Sequence, residues 1–109
     1  MAAEEEFADR RGDPRIGVMA SVQIDLGGAQ LEATALDMSI SGISVWAPQG
    51  IKPIGEFKIT MTVDHRGAIV VPARLKREFQ SDGGAVWGLA FGELPPEVAA
   101  RIEAYLESR

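Results

Sequence analysis

Apolar and polar residues alternate with a period of two along most of this chain, and this alternation constrains the fold more than any other feature. It is clearest over residues 57–63, where phenylalanine, isoleucine, methionine and valine alternate with lysine and threonine. A half-buried β-strand produces this pattern, because successive side chains point to opposite faces of a sheet. Short turns rich in glycine, proline and aspartate separate the alternating segments. The predicted strands span residues 16–24, 30–35, 43–46, 57–63, 68–79 and 85–91.

The period changes only near the C-terminus. Pro95 and Pro96 suit the first turn of a helix, which needs no backbone N–H donors there. An apolar stripe at helical spacing follows, formed by Val98, Ile102, Tyr105 and Leu106. The sequence predicts a helix over about residues 95–107 that covers one end or one face of a small barrel. We therefore expect an all-β fold with a C-terminal helix, a six-stranded antiparallel β-barrel occupying residues 16–109.

Three local features refine this prediction. Pro72 interrupts the fifth strand and favours an edge position or a bulge, since proline donates no hydrogen bond. Glu97 and Arg101 are spaced i, i+4, so we expect them to pair on the exposed side of the helix. The fifth strand also carries three cations, which we expect to form a solvated face: Arg74, Lys76 and Arg77. Of these, Arg74 could also extend an anion site.

Composition excludes several kinds of chemistry. The chain has 109 residues and no cysteine, which excludes disulfides, thiolate metal sites and a cysteine nucleophile. A single histidine, His65, falls in a predicted turn and excludes a multi-histidine metal site. No phosphate-cradling glycine loop or nucleophile elbow is present, and no apolar run is long enough for a membrane helix. We expect a cytoplasmic protein that is not an enzyme, holds no cofactor and does not insert into membranes.

The N-terminal segment carries the first candidate binding motif. Arg11 and Arg15 form an R-x-x-x-R pattern that Arg10 directly precedes. Residues 1–15 show no hydrophobic periodicity, so we expect them to form a flexible, charged arm. The net charge of −5 argues against DNA and RNA as partners, because polyanions respond to the field of the whole molecule. A compact anion responds instead to local arginines such as these.

The second motif is Asp37-x-Ser39-x-x-Gly42, at the junction of the second and third predicted strands. Either motif alone is common by chance, and each has a structural interpretation, as a solvated tail or as an ordinary turn. Their order is more informative than either one. In a small barrel the entrance to the first strand lies close to a neighbouring corner, so the two motifs can converge.

Together the two motifs resemble the signature of the PilZ domain family, whose members bind the bacterial second messenger cyclic di-GMP. The strand Trp87-Gly88-Leu89-Ala90-Phe91 looks like the closing G-x-x-F strand of that family, and a C-terminal helix follows in both. The resemblance implies a PilZ-type barrel and a cyclic di-GMP receptor that changes the conformation of its N-terminal loop and signals to a partner protein. The alternative is a PilZ-like barrel that binds no nucleotide and acts as a protein–protein interaction module.

The resemblance also implies a role for each arginine of the first motif. Arg11 and Arg15 are expected to contact guanine edges and phosphates, since the guanidinium fork can donate two hydrogen bonds to either. Arg10 stands just before the motif, where an arginine in relatives favours an intercalated pair of ligand molecules. We therefore expect two bound ligands per chain.

The second motif receives complementary roles. Asp37 is expected to accept hydrogen bonds from guanine N1–H and N2–H₂, while Ser39 supplies a small donor and acceptor beside it. Gly42 is expected either to let the backbone and ligand approach closely or to supply a positive φ at the corner.

Overall fold

The structure, a computed structural model, describes residues 15–48, 52–64 and 66–108. Within these ranges, the predicted order of six strands followed by a C-terminal helix is confirmed. The elements are β1 (Ile16–Asp25), β2 (Gln30–Met38), β3 (Gly42–Pro48), β4 (Glu56–Thr62), β5 (Ala68–Ser81), β6 (Gly84–Phe91) and α1 (Pro96–Glu107). The strand ends differ from the prediction mainly at β2, which runs on to Met38 and so includes Asp37, and at β3, which runs from Gly42 to Pro48.

The strands form a closed barrel in the order β1-β2-β3-β6-β5-β4, and every pairing is antiparallel. The predicted six-stranded antiparallel barrel is therefore confirmed. Closure occurs between β1 and β4 over three residue pairs, of which Ile24 with Ile59 is the central one. Both isoleucines are fully buried. They belong to one continuous core of inward-pointing side chains from all six strands.

Pro72 does not lie on an edge strand, which corrects the first alternative for this residue. It lies opposite Lys58 of β4, at the point where the ladder between β5 and β6 ends. Its carbonyl oxygen accepts a hydrogen bond from Gly92 N–H at 2.8 Å. Its missing N–H is tolerated because it lies at the end of that ladder. The β5 bulge occurs further along the strand, between Leu75 and Arg77.

The helix α1 packs against the barrel through the predicted apolar stripe. Ile102 is fully buried within the core, and Val98, Tyr105 and Leu106 are partly buried against it. Pro96 occupies the first turn as expected. At the other end, the Ser108 hydroxyl donates to the Tyr105 carbonyl at 2.8 Å. None of the helices in the described ranges is long and apolar enough to span a membrane.

Arg101 pairs with a residue of the barrel and not with Glu97, so the predicted i, i+4 pair is wrong. Its Nη2 lies 2.6 Å from Asp64 Oδ1 and 2.6 Å from the Gly67 carbonyl oxygen, and its Nε lies 3.3 Å from Asp64 Oδ2. A bidentate contact to a carboxylate and a further bond to a carbonyl satisfy the guanidinium better than one exposed helical partner. Arg101 thereby ties the helix to the loop between β4 and β5.

Candidate functional site

Arg15 directly precedes β1, and its guanidinium group joins three side chains from β2, β3 and their connection. Nε and Nη2 each lie 2.7 Å from Asp37 Oδ1. Nη1 donates to the Ser39 hydroxyl at 3.3 Å, and Nη2 donates to the Ser44 hydroxyl at 3.4 Å. One residue of the R-x-x-x-R motif therefore contacts two residues of the second motif, so the expected convergence of the motifs is present in the described residues.

A β-bulge gives Asp37 its outward direction. Ala33 and Ala35 point into the core, and continued alternation would turn Asp37 inward as well. The register with β3 shifts between Ala35 and Asp37, so that Leu36 is an extra residue. This reverses the phase of the strand, and Asp37 points outward while Met38 enters the core. Bulges are known to redirect side chains in this way beside functional sites.

Ser39 holds the tight connection between β2 and β3 in place. Its side chain is fully buried, and its Oγ accepts a hydrogen bond from Ser41 N–H at 3.2 Å. Its own N–H donates to the Gly42 carbonyl at 2.8 Å, closing the turn. Ser39 is therefore fixed by the backbone around it, and its hydroxyl is presented to Arg15 in a defined position.

Gly42 is required for packing and not for a left-handed backbone. Its φ is not positive, so the expectation of a positive φ is wrong. A Cβ at this position would collide with the carbonyl oxygen of Leu89 in β6. The close approach that the structure shows is to the backbone of β6. The expected close approach of the ligand at Gly42 stays a prediction.

Ser44 belongs to the site although sequence reasoning did not identify it. It lies directly opposite Asp37 in the ladder between β2 and β3, and its hydroxyl accepts from Arg15. The available signal was its position two residues after Gly42, which places it on the same outer face of β3. Arg10 and Arg11, like His65, lie outside the described residues.

The part of the site that the structure describes is accessible, and its two charges are balanced. The Arg15 side chain is 43% exposed and that of Asp37 is 36% exposed. Their charges cancel, and together with the two serine hydroxyls they form a cluster that can both donate and accept hydrogen bonds. Such a cluster can recognise the edge of a planar, polar ligand as well as an anion.

The described residues form a small closed six-stranded barrel domain with a docked C-terminal helix and an exposed Arg–Asp–Ser cluster beside the β2–β3 connection. The model of the PilZ domain family matches residues 9–108. This match covers most of the chain, and the chain therefore belongs to the PilZ domain family.

Solved structures of PilZ-domain proteins share the fold. The inhibitor of motility MotI/DgrA of Bacillus subtilis superposes with a TM-score of 0.80 at 18% identity, over 92% of this chain and 50% of that one. YcgR of Escherichia coli in complex with c-di-GMP gives a TM-score of 0.75 at 18% identity, over 91% of this chain and 45% of that one. The isolated PilZ domain of YcgR with c-di-GMP gives 0.69 at 20% identity, over 91% and 92%.

The chain thus spans about half the length of the MotI/DgrA and YcgR chains, and nearly all of the isolated PilZ domain. At these identities the likeness shows the fold. A search of curated protein sequences found no match.

Proposed function

We propose that the protein is a cyclic di-GMP receptor. The observation that carries this proposal is the contact of Arg15 with Asp37 and Ser39, because it joins the two polar motifs that are typical of ligand-binding members of the family. Family membership and the c-di-GMP complexes among the structural neighbours support it.

The proposed contacts follow from the chemistry of the groups. Cyclic di-GMP presents guanine O6 and N7 as acceptors, N1–H and N2–H₂ as donors, and two anionic phosphates. The Arg15 fork suits either the O6 and N7 edge or a phosphate. The Asp37 carboxylate suits the donor edge of a guanine, and the Ser39 hydroxyl, held by Ser41 N–H, adds a fixed polar contact.

Arg10 and Arg11 are proposed to complete the site from the N-terminal segment. In this proposal residues 1–15 close over the barrel when the ligand is present, and Arg10 favours an intercalated pair of ligands. Closure of a charged segment over a bound dianion would alter the protein surface, which is a recognised way of passing a binding event to a partner. We propose that this partner is a cytoplasmic effector protein.

Calorimetric titration with cyclic di-GMP tests the proposal. The wild type is expected to bind, and Arg15→Ala and Asp37→Ala are each expected to weaken binding by about tenfold or more, because a charge-assisted contact is lost. Asp82→Ala is the matched control, since it removes the same charge as Asp37→Ala from the exposed turn between β5 and β6. The control should retain wild-type affinity.

The same titration separates the alternatives. A wild type that gives no heat change in the titration, and whose melting temperature does not rise with added ligand, would contradict the receptor function and favour a protein-interaction module. Undiminished binding by both site variants would contradict the assigned residues. A stoichiometry near two supports the intercalated pair, and a stoichiometry near one contradicts it.

A further inference from the structure

Contacts within the site occupy both bidentate edges of the Arg15 guanidinium group. A guanidinium can donate two parallel hydrogen bonds from the edge formed by Nε and Nη2, or from the edge formed by Nη1 and Nη2. The first edge faces Asp37, with both nitrogens 2.7 Å from Oδ1. The second edge faces the hydroxyls of Ser39 and Ser44, at 3.3 Å and 3.4 Å. Arg15 therefore has to leave some of these contacts before it can offer a fork to a ligand.

The Asp37 carboxylate is occupied at one of its two oxygens. Each carboxylate oxygen accepts about two hydrogen bonds, and Oδ1 lies within hydrogen-bonding distance of two Arg15 nitrogens. A planar donor edge that binds a carboxylate through both of its oxygens needs Oδ1 as well as Oδ2. Arg15 therefore blocks bidentate binding of any other donor edge at Asp37.

The group that Arg15 places on Asp37 is chemically similar to the edge of a guanine. The N1–H and N2–H₂ donors of guanine belong to a guanidine unit that forms part of the ring, and the arginine side chain ends in a guanidinium. Both groups are planar, and both present parallel N–H donors to a carboxylate. Arg15 and a guanine edge are therefore competitors for the same acceptor.

This competition bears directly on the contacts proposed above. There Asp37 accepts from the donor edge of a guanine, and Arg15 donates to the O6 and N7 edge or to a phosphate. Neither bidentate contact can form while Nε and Nη2 of Arg15 are held by Asp37 Oδ1. Both become possible in one step if a guanine replaces Arg15 on Asp37, because the same step frees the arginine fork.

The free-energy cost of such an exchange is small. The ion pair is partly exposed, and exposed pairs of this kind contribute little stability. The two hydrogen bonds to serine hydroxyls are long. Breaking the pair should therefore reduce the affinity for a ligand by no more than about fivefold. Ser39 stays in place when Arg15 leaves, because it is buried and accepts a hydrogen bond from Ser41 N–H.

We propose that the Arg15–Asp37 ion pair is an internal competitor of the ligand, and that a guanine of cyclic di-GMP displaces Arg15 from Asp37 on binding. This inference rests on the proposed receptor function and adds a conformational step to it. Arg15 directly precedes β1, so the exchange releases the start of that strand from the β2–β3 connection. Ligand binding would thereby change how the N-terminal segment is held at its junction with the barrel.

NMR scalar coupling across the hydrogen bond from Arg15 Nε to the Asp37 carboxylate follows the exchange directly. The coupling is expected in the wild type without added nucleotide and should be lost at saturating cyclic di-GMP. Cyclic di-AMP is the matched control ligand, because it carries the same phosphates while the adenine edge places an acceptor beside its amino group. The coupling should therefore persist when cyclic di-AMP is added at the same concentration.

Methylguanidinium tests whether the guanidinium group and the ligand share one acceptor. In Arg15→Ala this cation can bind Asp37 in place of the missing side chain, so it should compete with the residual binding of cyclic di-GMP. With a dissociation constant on the order of 50 mM, about 100 mM of the cation would weaken that binding by about threefold. Methylammonium at the same concentration is the control, since it carries the same charge without the planar fork. In the double variant Arg15→Ala, Asp37→Ala the two cations should have equal effects.

The outcomes distinguish this inference from the function on which it rests. A wild type that does not bind cyclic di-GMP overturns both. If the wild type binds and the coupling between Arg15 and Asp37 persists at saturation, the receptor function stands and the exchange is overturned. Tighter binding of cyclic di-GMP to Arg15→Ala in methylguanidinium would also overturn the exchange, because the guanidinium group and the ligand would then be held at the same time.

Discussion

Arg101 Nη2 and Asp64 Oδ1 lie 2.6 Å apart, and this ion pair joins the C-terminal helix to the loop between β4 and β5. The hydrogen bond from Arg101 is the main reason why the pKa of Asp64 lies well below its usual range, and the Arg66 backbone N–H contributes further. The same pair raises the pKa of Arg101 above its usual value. Both shifts mean that the charged forms are favoured by the fold.

Asp64→Asn is expected to lower the melting temperature at neutral pH and to matter less in acid. The pKa of Asp64 is lower in the folded chain than in the unfolded one, so its contribution is complete above the unfolded value of about 3.9 and is lost as the pH falls below it. Thermal melts from pH 7 to pH 2 should therefore show a difference in melting temperature between wild type and variant, and this difference should narrow below about pH 4.

Asp82→Asn serves as the control for this pH dependence. Asp82 is exposed in the β5–β6 turn, and its substitution should leave the melting curve close to that of the wild type throughout. A gap for Asp64→Asn that stays constant down to pH 2 would contradict the assigned role of the ion pair.

Ile102→Ala is expected to destabilise the whole domain by about 2–5 kcal/mol. Ile102 is fully buried where α1 meets the barrel, so its truncation leaves a cavity that the strands cannot close. Urea unfolding measures the difference. Glu103→Ala, on the exposed side of the same helix, should change stability by no more than about 0.5 kcal/mol. Equal effects of the two substitutions would show that the helix does not stabilise the barrel.

Gly42→Ala is expected to destabilise the protein by about 1–3 kcal/mol, because the new methyl would collide with the Leu89 backbone of β6. Gly17→Ala is the matched comparison. Gly17 also lies in a strand beside the candidate site, but within the described part of the chain only its own sequence neighbours come within 4 Å of a Cβ at that position. Its substitution should be tolerated in denaturant unfolding, and a cost as large as that at Gly42 would contradict the packing argument.

Ser39→Ala is expected to cost about 1 kcal/mol of stability as well as affinity. The substitution removes the acceptor of Ser41 N–H in a buried turn and one partner of Arg15. Ser41→Ala should cost less, because the backbone N–H of residue 41 keeps its bond to Ser39. Denaturant unfolding without ligand isolates the structural part, and a larger loss for Ser41→Ala would overturn this assignment.

The regular part of the fold was predictable because alternation depends on local residues alone. The three apolar positions of β4 and the stripe through Ile102 each report the face that a strand or helix buries. The bulges were harder to predict, since they interrupt that same alternation. Asp37 and Arg77 each stand two residues after an inward-pointing apolar residue, so simple alternation would bury them. A charged residue at such a position was the one available sign that the strand contains a bulge there.

Contacts between distant residues were predictable only where a motif supplied them. The convergence of Arg15 with Asp37 followed from two motifs and a barrel. The contacts of Arg15 with Ser44 and of Arg101 with Asp64 depend on strand register and on where the helix docks. Neither the strand register nor the docking position of the helix can be deduced from local residue patterns, and Arg101 was therefore assigned to the wrong partner.

The three-pair closure between β1 and β4 also bears on the order in which the barrel assembles. The β1–β2 and β5–β6 hairpins join segments that are adjacent in the chain, whereas two further strands, β2 and β3, separate Ile24 from Ile59 along the chain. Closing that longer loop carries a greater entropic cost and is repaid by few hydrogen bonds. Because it has three residue pairs against seven in the β3–β6 ladder, amide exchange at this seam should be faster than in that ladder. Arg15 is attached to the strand on one side of the seam.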